Sequence, residues 1–126
     1  MKSVYISIVL FVIMLLSLFY SISYLNKTCN NLIKIDTNIS KSINNEAWIS
    51  ADKFSIEFNK KWSKTSNEMS IFVDHKEMDN INNELCKLTQ FIKCRNRDES
   101  LACVYTIDFF INHIKKMEKV TFQNIF

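Results

Sequence analysis

The chain of 126 residues contains no glycine and no proline. Average composition would give roughly nine glycines and six prolines in this length. Because these two residues supply most tight turns and β-bulges, their absence argues against barrels, sandwiches and βαβ folds. It also excludes the glycine-rich loops that bind phosphates and dinucleotides. The sequence therefore predicts an all-α protein.

The chain also lacks a large excess of either charge. Its 16 lysines and arginines stand against 13 aspartates and glutamates, which gives a net charge of +3. A nucleic-acid-binding face would gather basic residues in one place, whereas here they are dispersed among acidic ones. We therefore expect no nucleic acid partner, and the length suits one domain at most.

One long segment has no charge at all, and it runs from Val4 to Leu25. As a helix it would be roughly 33 Å long, enough to cross a hydrocarbon core of about 30 Å. Tyr5 near one end, with Tyr20 and Tyr24 near the other, suits the two membrane–water interfaces. Residues 1–25 are therefore predicted to form a short cytoplasmic tail and a single transmembrane helix.

Two alternative interpretations have this segment cleaved from the mature protein. A signal peptide could be cleaved near Ser21-Ile22-Ser23, but this is a poor cleavage site. A lipoprotein signal would end at Cys29, but the residues before it are polar and form no lipobox. We favour a retained signal-anchor in the cell membrane, with its short N-terminal tail in the cytoplasm and the bulk of the chain extracytoplasmic.

Residues 26–44 have the pattern of an amphipathic stem helix. Apolar residues follow steps of three and four, and Asp36 fills one of these steps. Lys27, Lys34 and Lys41 recur on the opposite face, where we expect solvent, with only Lys27 close to the lipid headgroups. The stripe consists of Leu25, Cys29, Leu32, Ile39 and Ile43.

Residues 45–126 are predicted to form an antiparallel helical bundle. A capping box at Thr65–Glu68 and a second cap at Asn96, with Glu99 three residues later, would separate three helices. If the chain also folds back at Asn44-Asn45, the bundle has four helices. If it does not, one helix continues from the membrane to about Lys64.

A continuous helix would leave the stem without a partner in the same chain. Its exposed stripe, which includes Leu32 and Ile39, would then favour a homodimer through a coiled coil. Cys29 on this stripe could cross-link the two copies.

The densest polar group is Asp74-His75-x-Glu77-x-Asp79. His75 and Asp79 are four residues apart and share a helix face, a geometry that can hold a metal. However, His75 occupies a position in the apolar stripe, which is more typical of a buried ring bonded to a neighbouring acid or Trp indole. We expect no metal, no cofactor and no catalytic residue.

The four cysteines show no C-x-x-C spacing, so zinc-ribbon and thioredoxin-like motifs are not indicated. Cys94 and Cys103 lie on opposite sides of the second break and could form a disulfide in an oxidising exterior. Free, buried thiols are the favoured interpretation.

The apolar N-terminus, Trp48-x-x-Ala51, Trp62 and Asp74-His75-x-Glu77-x-Asp79 together resemble the Firmicute family catalogued as domain of unknown function 4363. The resemblance covers nearly the whole chain and implies a small membrane-anchored helical protein. It implies no activity and no catalytic role for His75.

These observations predict a non-enzymatic protein-interaction or structural module. Its partners would be another membrane or envelope protein, a second copy, and the lipid bilayer. The residues expected to matter for packing or interaction are Leu32, Ile39, Trp48, Trp62, Asp74 and His75. The alternative is a ligand- or metal-sensing helical domain centred on His75 and Asp79.

Overall fold

The computed structural model describes residues 1–71 and 73–125, with side chains for 1–71, 73–119, 123 and 124. In these residues the chain forms four α-helices and has no strand. They are α1 (Lys2–Asn44), α2 (Trp48–Met69), α3 (His75–Lys93) and α4 (Arg97–Ile125). The predicted all-α class is confirmed.

The helices pack as a four-membered ring. Helix α1 contacts α2 and α4, and α3 contacts the same two helices. Short connections make neighbours in the chain antiparallel, so the bundle runs up, down, up and down. The chain therefore adopts the four-helix form of the predicted bundle.

The first turn explains why one helix does not continue from the membrane to Lys64. Helix α1 ends at Asn44, and Glu46 adopts a left-handed backbone conformation with φ of 56°. The amide of Ala47 donates to the carbonyl of Ser42 at 2.8 Å, and that of Glu46 donates to Ile43 at 3.0 Å. These two bonds form the Schellman motif that closes many helices.

The turn between α3 and α4 repeats this arrangement. Arg95 has φ of 53°, and the Asn96 amide donates to the carbonyl of Phe91 at 2.9 Å. The side chain of Asn96 then accepts a hydrogen bond of 3.2 Å from the Glu99 amide. The predicted cap at Asn96 is confirmed.

The predicted capping box at Thr65–Glu68 is wrong. Helix α2 continues through it to Met69, and α3 begins only at His75. Thr65 is buried on the same face as Trp62 and Met69, so packing against the core outweighs the local capping preference. Asp74 caps α3 instead, because its side chain accepts a hydrogen bond from the amide of Lys76 at 3.2 Å.

The stem, residues 26–44, packs into the same core as residues 45–126. Leu32 is 1% exposed and Ile39 is fully buried. Of the two alternatives, the structure has the chain that folds back after Asn44, so the stripe is not exposed: α2 and α4 cover it. Each helix contributes regularly spaced apolar residues to this core, among them Leu25, Ile43, Phe58, Ile81, Leu88, Ile107 and Ile111.

The first half of α1 extends beyond the bundle. Its most apolar stretch has a mean hydropathy of 2.5, and none of it is buried against the rest of the chain. Leu10, Ile13 and Leu16 are all more than half exposed. Within the described residues this is the one helix long and apolar enough to cross a membrane, which is consistent with a membrane anchor or a signal sequence.

Candidate functional site

His75 is not a buried ring. It is the first residue of α3 and is exposed, as is Asp79 one turn later. The interpretation of His75 as part of the apolar stripe is therefore wrong, because the helix begins at His75 instead of passing through it. Among the described residues, no group of three or more His, Cys, Asp or Glu side chains could hold a metal.

The two tryptophans occupy separate places on α2. Trp62 is 3% exposed, and its indole Nε1 donates a hydrogen bond of 2.7 Å to Oδ1 of Asn82 on α3. Trp48 opens α2 and packs half-buried against the core. Trp48 and Trp62 are 14 residues apart in the chain, which corresponds to about 21 Å along a helix, so the two rings do not form one binding site.

The four cysteines are free thiols. Cys29 and Cys103 are buried, and burial raises the pKa of each thiol to about 11. Cys86 and Cys94 are exposed, which corrects the expectation that these two thiols are buried. The structure contains no Cys94–Cys103 disulfide: Cys94 caps the end of α3 in solvent, whereas Cys103 faces the core.

Asp36 is a buried acid in the core. It is 2% exposed, and its Oδ1 finds no hydrogen-bond partner among the described residues. Burial raises the pKa of its carboxyl to about 8, and the nearby Asp108 adds to the rise. The side chain is therefore mainly protonated and uncharged at neutral pH. Its place in the stem's apolar stripe was visible in the sequence, but its burial follows only from the fold-back of the chain after Asn44.

A polar contact between α3 and α4 was not predicted. Nδ1 of His113 lies 3.3 Å from Oε1 of Glu77. The ring of Phe109 stacks on the His113 imidazole, with centroids 6.3 Å apart and an interplanar angle of 11°. Sequence pattern alone assigned no role to His113, because its partner is far away in the chain.

The outer face of α4 carries exposed aromatic residues. Tyr105 is 63% exposed and Phe109 is 66% exposed. They are four residues apart and lie on one side of the helix, while Val104, Ile107 and Ile111 point into the core. We call Tyr105 and Phe109 the α4 aromatic face.

Two grooves flank α1 where it leaves the bundle. The first, between α1 and the end of α2, has a volume of about 390 Å³. The hydroxyl of Tyr24 donates to Oε2 of Glu68 across it. Its wall also includes Tyr20, Leu25 and Met69.

The second groove lies between α1 and the end of α4 and has a volume of about 680 Å³. We call it the α1–α4 groove. Lys115 Nζ donates to Oδ1 of Asn30 at 2.7 Å and ties its two walls together. Helix α4 contributes Asn112, Lys115, Lys116 and Lys119. Helix α1 contributes Phe19, Ile22, Asn26 and Asn30.

Comparison with known protein families identifies the bundle. The model of a family described as a domain of unknown function, DUF4363, matches residues 19–125. The chain belongs to the DUF4363 family. The matched region begins in the last turns of the apolar segment and includes the rest of α1 with α2, α3 and α4. No curated protein and no solved structure matches the chain.

Proposed function

We propose that this DUF4363 protein is a membrane-anchored, extracytoplasmic interaction module without enzymatic activity. It would hold another membrane or envelope protein against the α4 aromatic face. The observation that carries the proposal is the exposure of Tyr105 and Phe109 on a helix whose opposite face is packed into the core.

Retention of the anchor is supported by the continuity of α1. The helix passes without interruption from the apolar segment to Leu25, the first buried residue of the bundle. Cleavage after Ser23 would make Tyr24 a new, charged N-terminus directly before that core residue. Processing at Cys29 would remove Leu25 altogether and would attach lipid to a thiol that is 1% exposed.

The proposed orientation is extracytoplasmic, with Lys2 on the cytoplasmic side of the apolar segment and the bundle on the other side. The bundle would then lie at the outer surface of the cell membrane.

The α4 aromatic face has the composition of a protein-binding surface. Interfaces are enriched in Tyr and Phe relative to the rest of a protein surface. An aromatic side chain that a partner covers also removes a large apolar area from water. Leu32 and Ile39 are buried in the core, so a second copy could not bind at the stem stripe. A homodimer would instead form through the α4 aromatic face.

The anchor is tested in cells that produce the chain with a C-terminal epitope. We expect a chain of full-length mass in the membrane fraction that alkaline carbonate does not extract. We also expect protease added to intact spheroplasts to remove the epitope. A shortened chain recovered in the medium would contradict the anchor, and a protected epitope would contradict the orientation.

The α4 aromatic face is tested by placing a photoreactive phenylalanine analogue at Tyr105 or Phe109 in the anchored chain. Ile49, which is 86% exposed on α2, is the matched control position. We expect one discrete adduct from both α4 positions and none from position 49. An adduct of twice the chain mass identifies a homodimer. No adduct at α4, or the same adducts from all three positions, would contradict the proposal.

A further inference from the structure

We propose that the α1–α4 groove binds the headgroup of an anionic phospholipid, with the ammonium groups of α4 facing the lipid phosphate. The inference rests on the proposed retention of the anchor, because only an anchored chain holds this groove at a bilayer surface.

The position of the groove is fixed by α1 itself. Phe19 and Ile22 belong to the last turns of the apolar segment, and both line the groove. Asn26 lies one turn further into the bundle on the same face of α1. If the apolar segment spans the bilayer, the groove opens where hydrocarbon gives way to headgroups. Acyl chains can then lie along Phe19 and Ile22 while the phosphate reaches the polar part.

The charge of the groove suits an anion. Lys119 lies four residues after Lys115 and three after Lys116, the two spacings that make neighbours on a helix surface, and all three lysines line the groove from α4. Lys115 has one donor engaged with Asn30, and an ammonium group has three. Glu118 belongs to the same stretch of α4 but does not line the groove, and burial raises the pKa of its carboxyl.

The size of the groove also suits a headgroup. Its volume of about 680 Å³ falls within the roughly 300–1,000 Å³ typical of ligand sites. The groove between α1 and α2 makes a useful contrast. It sits at the same end of the bundle, but its wall carries Glu68 and no lysine, so it would repel a phosphate.

The test uses the full-length chain in neutral detergent micelles, with bound lipid counted by native mass spectrometry. Phosphatidylglycerol and phosphatidylcholine with the same acyl chains are offered at equal concentration. We expect retention of phosphatidylglycerol in preference to phosphatidylcholine. Free glycerol phosphate is a third arm, and binding of it as tight as that of the lipid would replace the lipid proposal with a site for small anions.

The groove variant is Lys115→Gln, Lys116→Gln and Lys119→Gln together. Each lysine near anionic lipid contributes about a fivefold factor in affinity, so the triple variant is expected to bind phosphatidylglycerol about 100-fold more weakly. The matched control changes the exposed Lys34, Lys53 and Lys60 to Gln. It removes the same net charge and should change binding less than about twofold.

Loss of the Lys115–Asn30 hydrogen bond could disturb the packing of α4. A double variant, Lys116→Gln with Lys119→Gln, keeps this bond and should still lose about 25-fold in affinity. Equal binding by the groove and control variants, or equal retention of the two lipids, would overturn the site. The anchor and the lipid site can fail separately. Recovery of a shortened chain from the producing cells would refute the anchor, whereas the binding of lipid by the intact chain in micelles does not depend on that result.

Discussion

The indole Nε1 of Trp62 donates a hydrogen bond of 2.7 Å to Oδ1 of Asn82 and so joins α2 to α3. Trp62 is 3% exposed, whereas Asn82 is on the surface. The bond therefore satisfies a polar group that would otherwise be buried without a partner.

Asn82→Ala should destabilise the bundle by about 1–3 kcal/mol, the usual penalty for an unsatisfied buried donor. Trp62→Phe removes the donor as well, so the double variant should be more stable than the sum of the two single effects predicts. Chemical denaturation of all three variants measures this coupling. Asn83→Ala, at the neighbouring exposed position, is the control and should change stability by less than about 0.5 kcal/mol.

Because Asp36 is buried, we expect the free energy of unfolding to fall as pH rises. The pKa of Asp36 in the folded protein is about 8 and lies above the ordinary aspartate value of 3.8, so the folded protein holds a proton that the unfolded chain releases. The contribution of Asp36 to the free energy of unfolding is fully present below about pH 4. It is lost as the pH rises toward 8, with a slope of up to about 1.4 kcal/mol per pH unit. The raised pKa of Glu118 acts in the same direction.

Asp36→Asn keeps the shape of the side chain and removes its titration. Denaturant unfolding between pH 4 and 8 should therefore show a flatter profile, and the variant should exceed the natural protein in stability at pH 8. An unchanged slope would mean that Asp36 is already ionised in the folded state.

The turns of this glycine-free chain contain strain that glycine would relieve. Glu46 and Arg95 have φ of 56° and 53°, a region that costs a residue with a Cβ roughly 1 kcal/mol. Glu46→Gly and Arg95→Gly should each raise the free energy of unfolding by about 0.5–1 kcal/mol, after the added entropy of the unfolded chain is subtracted.

Asn45→Gly is the matched control for these glycine variants. Asn45 has φ of −89°, which any residue adopts, so glycine there should destabilise the protein. Stabilisation at all three positions would show that backbone strain is not the cause.

The cysteines predict two classes of thiol reactivity. Cys86 and Cys94 are exposed, whereas Cys29 and Cys103 are buried and their pKa values are raised. Since the thiolate is the reacting form, a chromogenic disulfide reagent should modify two thiols quickly in the folded protein and four after unfolding. Cys86→Ser with Cys94→Ser should abolish the fast phase, and a persistent fast phase would contradict the buried positions of Cys29 and Cys103.

Local sequence signals succeeded where no tertiary contact opposed them. The uncharged segment from Val4 to Leu25 and the cap at Asn96 could both be identified from neighbouring residues. The Thr65 capping signal failed because Thr65 also belongs to the buried face of α2. A packed helix face outweighs a cap that contributes about 1 kcal/mol.

The α1–α4 groove could not be predicted from the sequence. Lys115 and Asn30 are 85 positions apart, so the lysines near the C-terminus looked like dispersed charge. The spacing of Asn112, Lys115, Lys116 and Lys119 does mark a polar helix face. Only the fold, however, brings that face beside the end of the apolar segment.

The unbroken course of α1 has a mechanical consequence. Its 43 residues form a rod of about 65 Å, of which one half is apolar and the other half is built into the core. With the apolar half in a bilayer, the bundle has no hinge at which to turn independently. A change in membrane thickness that tilts the span would therefore swing the α4 aromatic face toward or away from the lipid surface.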